Sequence, residues 1–266
     1  MRIIKILLCL QLSILVNICA STDLIIEIDG NEKVLRQDEL REKYKNELTK
    51  LEIKEHPNYR NKSIQYRGVP FKEIIKSFSR KVTSEDLVII TCTDGYQPVL
   101  KGEYFSDNNA LLAFEEINPK TRVTEDGRWT KVKMEDEFVS PGPYYLVWPS
   151  VKNHKHSWPY QIQKISIIKK IQFKEFSKIE PRASIAKKGF ELFKNKCIKC
   201  HSIKYVGPKG KAPDLASVIG YRTKSYIKNR IRKGRGKMPP FSKSLITDDE
   251  IDEVVKYLET IYATLK

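Results

Sequence analysis

Two cysteines and a histidine carry the most distinctive chemistry in this chain. They lie in NKCIKCHSIKYVGP, Asn195 to Pro208, as Cys197-Ile198-Lys199-Cys200-His201. Three chemistries use such residues: a zinc clip, a thiol redox pair, and the attachment of a haem. A structural zinc site needs four ligands, usually with a second Cys/His pair at set spacing. The other candidates beyond residue 20 are Cys92, His56, His154 and His156, all in the part of the chain before residue 160. A thioredoxin-like pair needs strands beside it, and the surrounding sequence reads as helical. Haem attachment meets neither objection. Two thiols one helical turn apart can add to the two vinyl groups on one porphyrin edge, and the next residue places an imidazole over the iron. The spacing predicts one covalent haem c.

A sixth iron ligand is expected farther along. Met238, in GKMPPF, is the only methionine after residue 183, and no histidine follows His201. A lone methionine often just fills a core. This one sits between a basic, Gly-containing loop and two prolines, which is loop context. A thioether opposite an imidazole raises the reduction potential by favouring ferrous iron. With both axial positions filled, the iron exchanges single electrons and makes no bonds, so no catalytic residue is assigned.

The elements that must position these groups read as helices. SIAKKGFELFKN has Ile185, Phe190 and Phe193 to bury, and SYIKNRIRKG is a second helix ended by Gly234. The last helix opens with a Thr247/Glu250 capping box. Ile251, Val254, Val255, Leu258, Ile261, Tyr262 and Leu265 then form one apolar stripe.

Residues 184–266 resemble a class I c-type cytochrome. The resemblance rests on the helix with Gly189 and Phe193, the attachment motif, VGPKGKAPDL, Met238-Pro239, and a last helix with Tyr257. It implies an all-α domain in which Tyr257 crosses the first helix near Gly189. It also implies that a proline carbonyl, assigned here to Pro208, orients His201.

Charge is uneven. The chain carries a formal +16, and residues 181–266 hold 20 Lys and Arg against 8 Asp and Glu. Arg222, Lys224, Lys228, Arg230, Arg232, Lys233, Arg235 and Lys237 form a run without an acid that leads into Met238. Such a face speeds encounter with an acidic redox partner. An export signal argues against nucleic acid, which leaves an acidic protein or peripheral contact with a membrane surface.

That signal is read in residues 1–20. Arg2 and Lys5 precede the apolar run Ile6 to Ile18, and Ala20 offers a small residue at the cleavage point. The run is short for a membrane span. Cleavage removes Cys9 and Cys19 and gives an exported, periplasmic chain, whereas a retained signal would anchor it. Three cysteines then remain, too few for a disulfide framework.

Residues 21–170 read as an α+β domain with a mixed sheet, and 171–183 as a linker. DLIIEI, DLVIIT, GPYYLVWP and YQIQKISII have strand character; PFKEIIKSF and DNNALLAFEEI are expected to be helices. The order of these segments resembles the sulfite-oxidase-type molybdopterin-binding fold. In that family a Cys at the end of a strand binds molybdenum, and Cys92 in TCTDGY falls at that place. The domain is short for housing a pterin and lacks the usual Arg and His set that grips one, so molybdopterin is not expected. Cys92 is otherwise a small buried hydrophobe, or a ligand to a second metal with His154 and His156.

The expected function is an exported electron carrier. The alternative is a two-centre oxidoreductase whose N-terminal domain holds molybdopterin or another metal and passes electrons to the fused haem.

Overall fold

The apolar residues separate into two buried clusters, one drawn from Leu24 to Ile167 and the other from Ile179 to Ile261. The computed structural model describes residues 23–54, 56, 63–106, 110–134, 137–149, 158–170, 175–208 and 210–264. The signal read in residues 1–20, with Cys9 and Cys19, lies outside the described residues, as do His154, His156 and Leu265.

The N-terminal domain is built on β1 (Leu24–Ile28), β2 (Asn31–Leu35), α1 (Gln37–Lys43), β3 (Thr49–Ile53), β4 (Ile64–Pro70) and α2 (Phe71–Lys76). These are followed by β5 (Asp86–Cys92), β6 (Val99–Lys101), α3 (Glu103–Ser106), β7 (Leu111–Glu116), β8 (Val132–Met134), β9 (Glu137–Val139), β10 (Tyr145–Val147) and β11 (Ile162–Lys169). One sheet runs β2-β1-β11-β5-β6 and a second runs β10-β7-β4-β3. The first is mixed, because β1 pairs with β11 in parallel while its other neighbours are antiparallel. In β1 and β5 burial alternates residue by residue, as a half-buried strand requires.

One expected helix is a strand. In DNNALLAFEEI, Leu111–Glu116 form β7, flanked by β4 and β10. Leu111, Leu112, Ala113 and Phe114 are all buried, so both faces of the strand are covered. A short continuous apolar run suits a doubly covered strand as well as a helix, and its neighbours decide which.

The second cluster is helical. Two 3-10 turns, Glu175–Lys178 and Ser184–Ala186, lead into α4 (Lys187–Lys196), α5 (Leu215–Ile219), α6 (Lys224–Lys233) and α7 (Asp248–Ala263). The capping box of α7 is present, with Glu250 N–H donating to Thr247 Oγ1 at 3.1 Å and Thr247 N–H to Glu250 Oε2 at 2.8 Å. Gly234 ends α6 at φ +68. Ile185 is not buried as expected: it is 60% exposed in the turn before α4, and Ala186 and Ile179 fill the core there. The expected linker is also shorter than 171–183. Ile179 is fully buried in the helical core and its carbonyl accepts from Tyr257 Oη at 2.9 Å. A single apolar residue in a charged run shows no periodicity, and its partner lies 78 positions away.

The α4–α7 crossing holds this core together. Gly189 lies where a Cβ would stand 2.0 Å from the Glu253 carbonyl oxygen and 2.7 Å from Tyr257 Cβ. Without a side chain there, the two helices approach closely enough for Tyr257 to pack against Phe190 and Phe193, with centroids 5.5 and 5.4 Å away. The Gly189–Tyr257 contact is the one the resemblance implied. No helix among the described residues is long and apolar enough to cross a membrane.

Candidate functional site

Helix α4 ends one residue before Cys197, which is its C-cap. The chain continues in turns: Cys200 N–H and His201 N–H both donate to the Cys197 carbonyl, at 3.1 and 3.0 Å. This winding keeps Cys197, Cys200 and His201 on one wall of a crevice of about 520 Å³. Met238 lines the same crevice. Four residues expected to act together, from two places about forty positions apart, thus share one cavity. Ile231, Phe241, Ile246 and Val254 add apolar surface to it.

His201 is held by its ring nitrogen. Nδ1 lies 2.9 Å from the Pro213 carbonyl oxygen. A carbonyl only accepts, so Nδ1 carries the proton and Nε2 is left with its lone pair. Burial lowers the imidazole pKa, opposed by that hydrogen bond and by the Asp214 charge. The ring is therefore neutral and oriented, which is the state a metal ligand needs.

The carbonyl in that role belongs to Pro213, not to Pro208 as expected. Pro208 is buried on the loop after His201. The decision is made by Asp214, whose carboxylate accepts from Ser202 Oγ at 2.8 Å and from the Tyr205 and Ala216 N–H groups, each at 2.9 Å. These bonds fold residues 202–214 back on themselves and bring the peptide just before Asp214 under the imidazole. Asp214 is also the N-cap of α5. The APDL sequence held the signal, since an Asp before a short apolar run reads as a helix cap.

Met238 is set by a tight turn. Arg235 N–H donates to the Met238 carbonyl at 3.0 Å and Met238 N–H to the Arg235 carbonyl at 3.1 Å. Gly234 allows this turn: a Cβ there would stand 2.4 Å from the Met238 carbonyl oxygen, at a φ of +68. The side chain is half-buried against the helical core.

The two motif thiols are protonated in this setting. Burial pushes Cys197 up to about 12, and raises Cys200 as well. Among the described residues, no group of three or more His, Cys, Asp and Glu could hold a metal ion. Cys92 sits at the end of β5, buried, and burial pushes its thiol up to about 12.

The basic run is not uniformly free. Lys224 pairs with Glu259 at 2.9 Å, Lys228 with Asp252, and Arg232 with Asp248. Arg222 and Arg230 stack on either side of the chain order around Tyr226, each 4.9 Å from its ring centroid. Lys233, Arg235 and Lys237 remain exposed next to Met238.

Residues 184–258 match the family model described as cytochrome C oxidase, cbb3-type, subunit III. A cytochrome c domain thus forms the C-terminal region, and it implies a haem cofactor. The match covers less than half of the chain and stays within its helical part. No curated protein matches the chain. The residues in the crevice fit the implied group: an oriented neutral imidazole, a thioether, two thiols on one edge, and an apolar lining.

Proposed function

We propose that the cytochrome domain binds one haem covalently through Cys197 and Cys200, with His201 and Met238 as axial ligands, and that the protein is an exported carrier of single electrons. The observation that carries this reading is that all four side chains face one crevice while His201 has only Nε2 to offer. The bound iron supplies one-electron exchange between its ferric and ferrous states. Pro213 holds the proton on Nδ1, Asp214 fixes the loop that carries Pro213, and Gly234 lets Met238 turn inward. With His201 and Met238 both holding the iron, the group would supply electron exchange. The apolar lining keeps water away and limits rearrangement as the charge changes.

The partner is an acidic redox protein that docks on the Arg222–Lys237 face. Lys233, Arg235 and Lys237, which frame the Met238 loop, form its centre; the paired Lys224, Lys228 and Arg232 contribute less. Export of the protein is part of this reading and rests on the signal-like sequence of residues 1–20.

The second reading is the two-centre oxidoreductase, and the structure bears only on where its second centre would lie. Cys92 is two residues from Asp94, whose carboxylate pairs with Lys211 of the haem crevice. A second metal at Cys92 would therefore lie beside the haem, and the protein would be a two-centre oxidoreductase.

One experiment separates these readings: metal content per chain and haem staining after denaturation, on protein matured in a host that attaches c-type haem. One covalently held iron and no other metal is the expected result. Near-stoichiometric molybdenum or copper in addition would select the oxidoreductase. A chain without covalently held iron would overturn both.

A further inference from the structure

The C-terminal domain does not build the haem crevice alone. Tyr96, Val99, Leu100, Lys101 and Tyr104 of the N-terminal domain line it together with Cys197, Cys200 and His201. These residues belong to the β5–β6 hairpin and to α3, so two domains share one cavity.

Two polar contacts fix the hairpin against the attachment motif. Gln97 N–H donates at 3.0 Å to the carbonyl of Lys199, which lies between the two cysteines. The carboxylate of Asp94 pairs with Lys211, on the loop that runs from His201 to Pro213. The Lys211 side chain is only 15% exposed, whereas Asp94 at 38% still reaches solvent, so the pair sits at the rim of the contact.

The hairpin is built to stay in place. Cys92 N–H donates to the Tyr96 carbonyl and Gly95 N–H to the Cys92 carbonyl, both at 3.0 Å. Asp94 Oδ1 accepts from Tyr96 N–H at 2.8 Å. Leu100 is buried in the N-terminal core, and Trp148 Nε1–H donates to the Tyr104 carbonyl at 2.9 Å. The surface facing the cysteines is thus an outer edge of the N-terminal core and not a loose flap.

We propose that the N-terminal domain is a structural wall of the haem pocket, closing the Cys197–Cys200 edge and latched there by the Asp94–Lys211 pair. The proposal rests on the haem reading above and extends it. It gives the N-terminal domain a role that needs no cofactor of its own. It also leaves the Met238 loop, with the exposed Lys233, Arg235 and Lys237, as the side where a partner approaches the haem. The latch reaches the loop that carries Pro213, so domain contact also bears on the orientation of His201.

The test uses the full, haem-loaded chain with two variants: Lys211→Glu, and Asp94→Lys combined with Lys211→Glu. Circular dichroism confirms folding. Two quantities are read: hydrogen exchange over residues 95–104, and the rate at which a small uncharged oxidant takes electrons from the ferrous haem. Lys211→Glu is expected to raise both several-fold, and the charge-swapped double variant to return both towards wild type. A Lys211→Glu chain that keeps wild-type exchange and oxidation, or a change that the swap does not reverse, overturns the latch. Denaturing haem staining of the wild type reads the parent proposal separately. A stained chain with unmoved rates sinks only the wall, whereas an unstained one sinks both.

Discussion

The imidazole Nδ1 of His201 lies 2.9 Å from the carbonyl oxygen of Pro213, and Asp214 anchors the chain that delivers that carbonyl. The orientation of His201 therefore depends on a carboxylate that touches neither the histidine ring nor the crevice. Asp214→Ala removes the N-cap of α5 and the acceptor for Ser202 and Tyr205. It is expected to cost about 2 kcal/mol of stability. The haem potential should shift with it. Denaturant unfolding and a redox titration on the same preparation check both effects, and Asp214→Asn should recover much of the loss.

Met238→Ala should abolish the charge-transfer band between methionine sulfur and ferric haem. The potential should fall by on the order of 0.1 V, a fraction of the ~0.8 V that axial ligands span. An unchanged spectrum would place the sixth ligand elsewhere.

Electron transfer to an acidic acceptor should slow as salt is added, because the Debye length is only ~10 Å at 0.1 M. Reversing the exposed Lys233, Arg235 and Lys237 should weaken this dependence more than reversing Lys224 and Lys228, which already face Glu259 and Asp252. Stopped-flow rates across an ionic-strength series measure it. A flat response removes the docking face.

Gly189→Val would drive a side chain into the Glu253 carbonyl, which stands 2.0 Å from the position of a Cβ. Helices α4 and α7 would have to separate, at a cost of about 3 kcal/mol. Thermal unfolding should show the loss, and the yield of haem-loaded protein should drop with it.

Asp86 predicts an acid-sensitive N-terminal domain. Its side chain is fully buried, which by itself disfavours the charge. Arg80 at 2.8 Å, the Thr83 N–H at 2.8 Å and Lys169 at 3.0 Å outweigh that and hold the carboxyl at about 2, below its ordinary 3.8. A depressed folded-state pKa adds stability above the unfolded value, and that stability is lost as pH falls from 3.8 towards 2. The contribution is about 2 kcal/mol. Asp86→Asn should lose about 2 kcal/mol at neutral pH, since it removes the buried charge that Arg80 and Lys169 face, and should flatten the acid limb. Urea midpoints measured along a pH series would reveal a limb that fails to flatten.

The sequence by itself determined the chemistry of the C-terminal region. Cys197, Cys200, His201 and Met238 stood out as candidates because their types and spacing suit haem attachment and ligation, and the fold brings them to one crevice. Helices α6 and α7 were legible because Gly234, the Thr247/Glu250 box and the apolar stripe are local signals that need no distant partner. Several strands of the N-terminal domain were legible for the same reason. Tertiary structure decided what depends on contacts between distant parts of the chain. Leu111–Glu116 became a strand because β4 and β10 pair with its two edges. Pro213 displaced Pro208 because Asp214 folds the loop back to Ser202. Ile179 joined the helical core because Tyr257 reaches it from α7. The role of Tyr96 to Tyr104 along the crevice carried no sequence signal, because nothing local in a β-hairpin says which surface of another domain it will face.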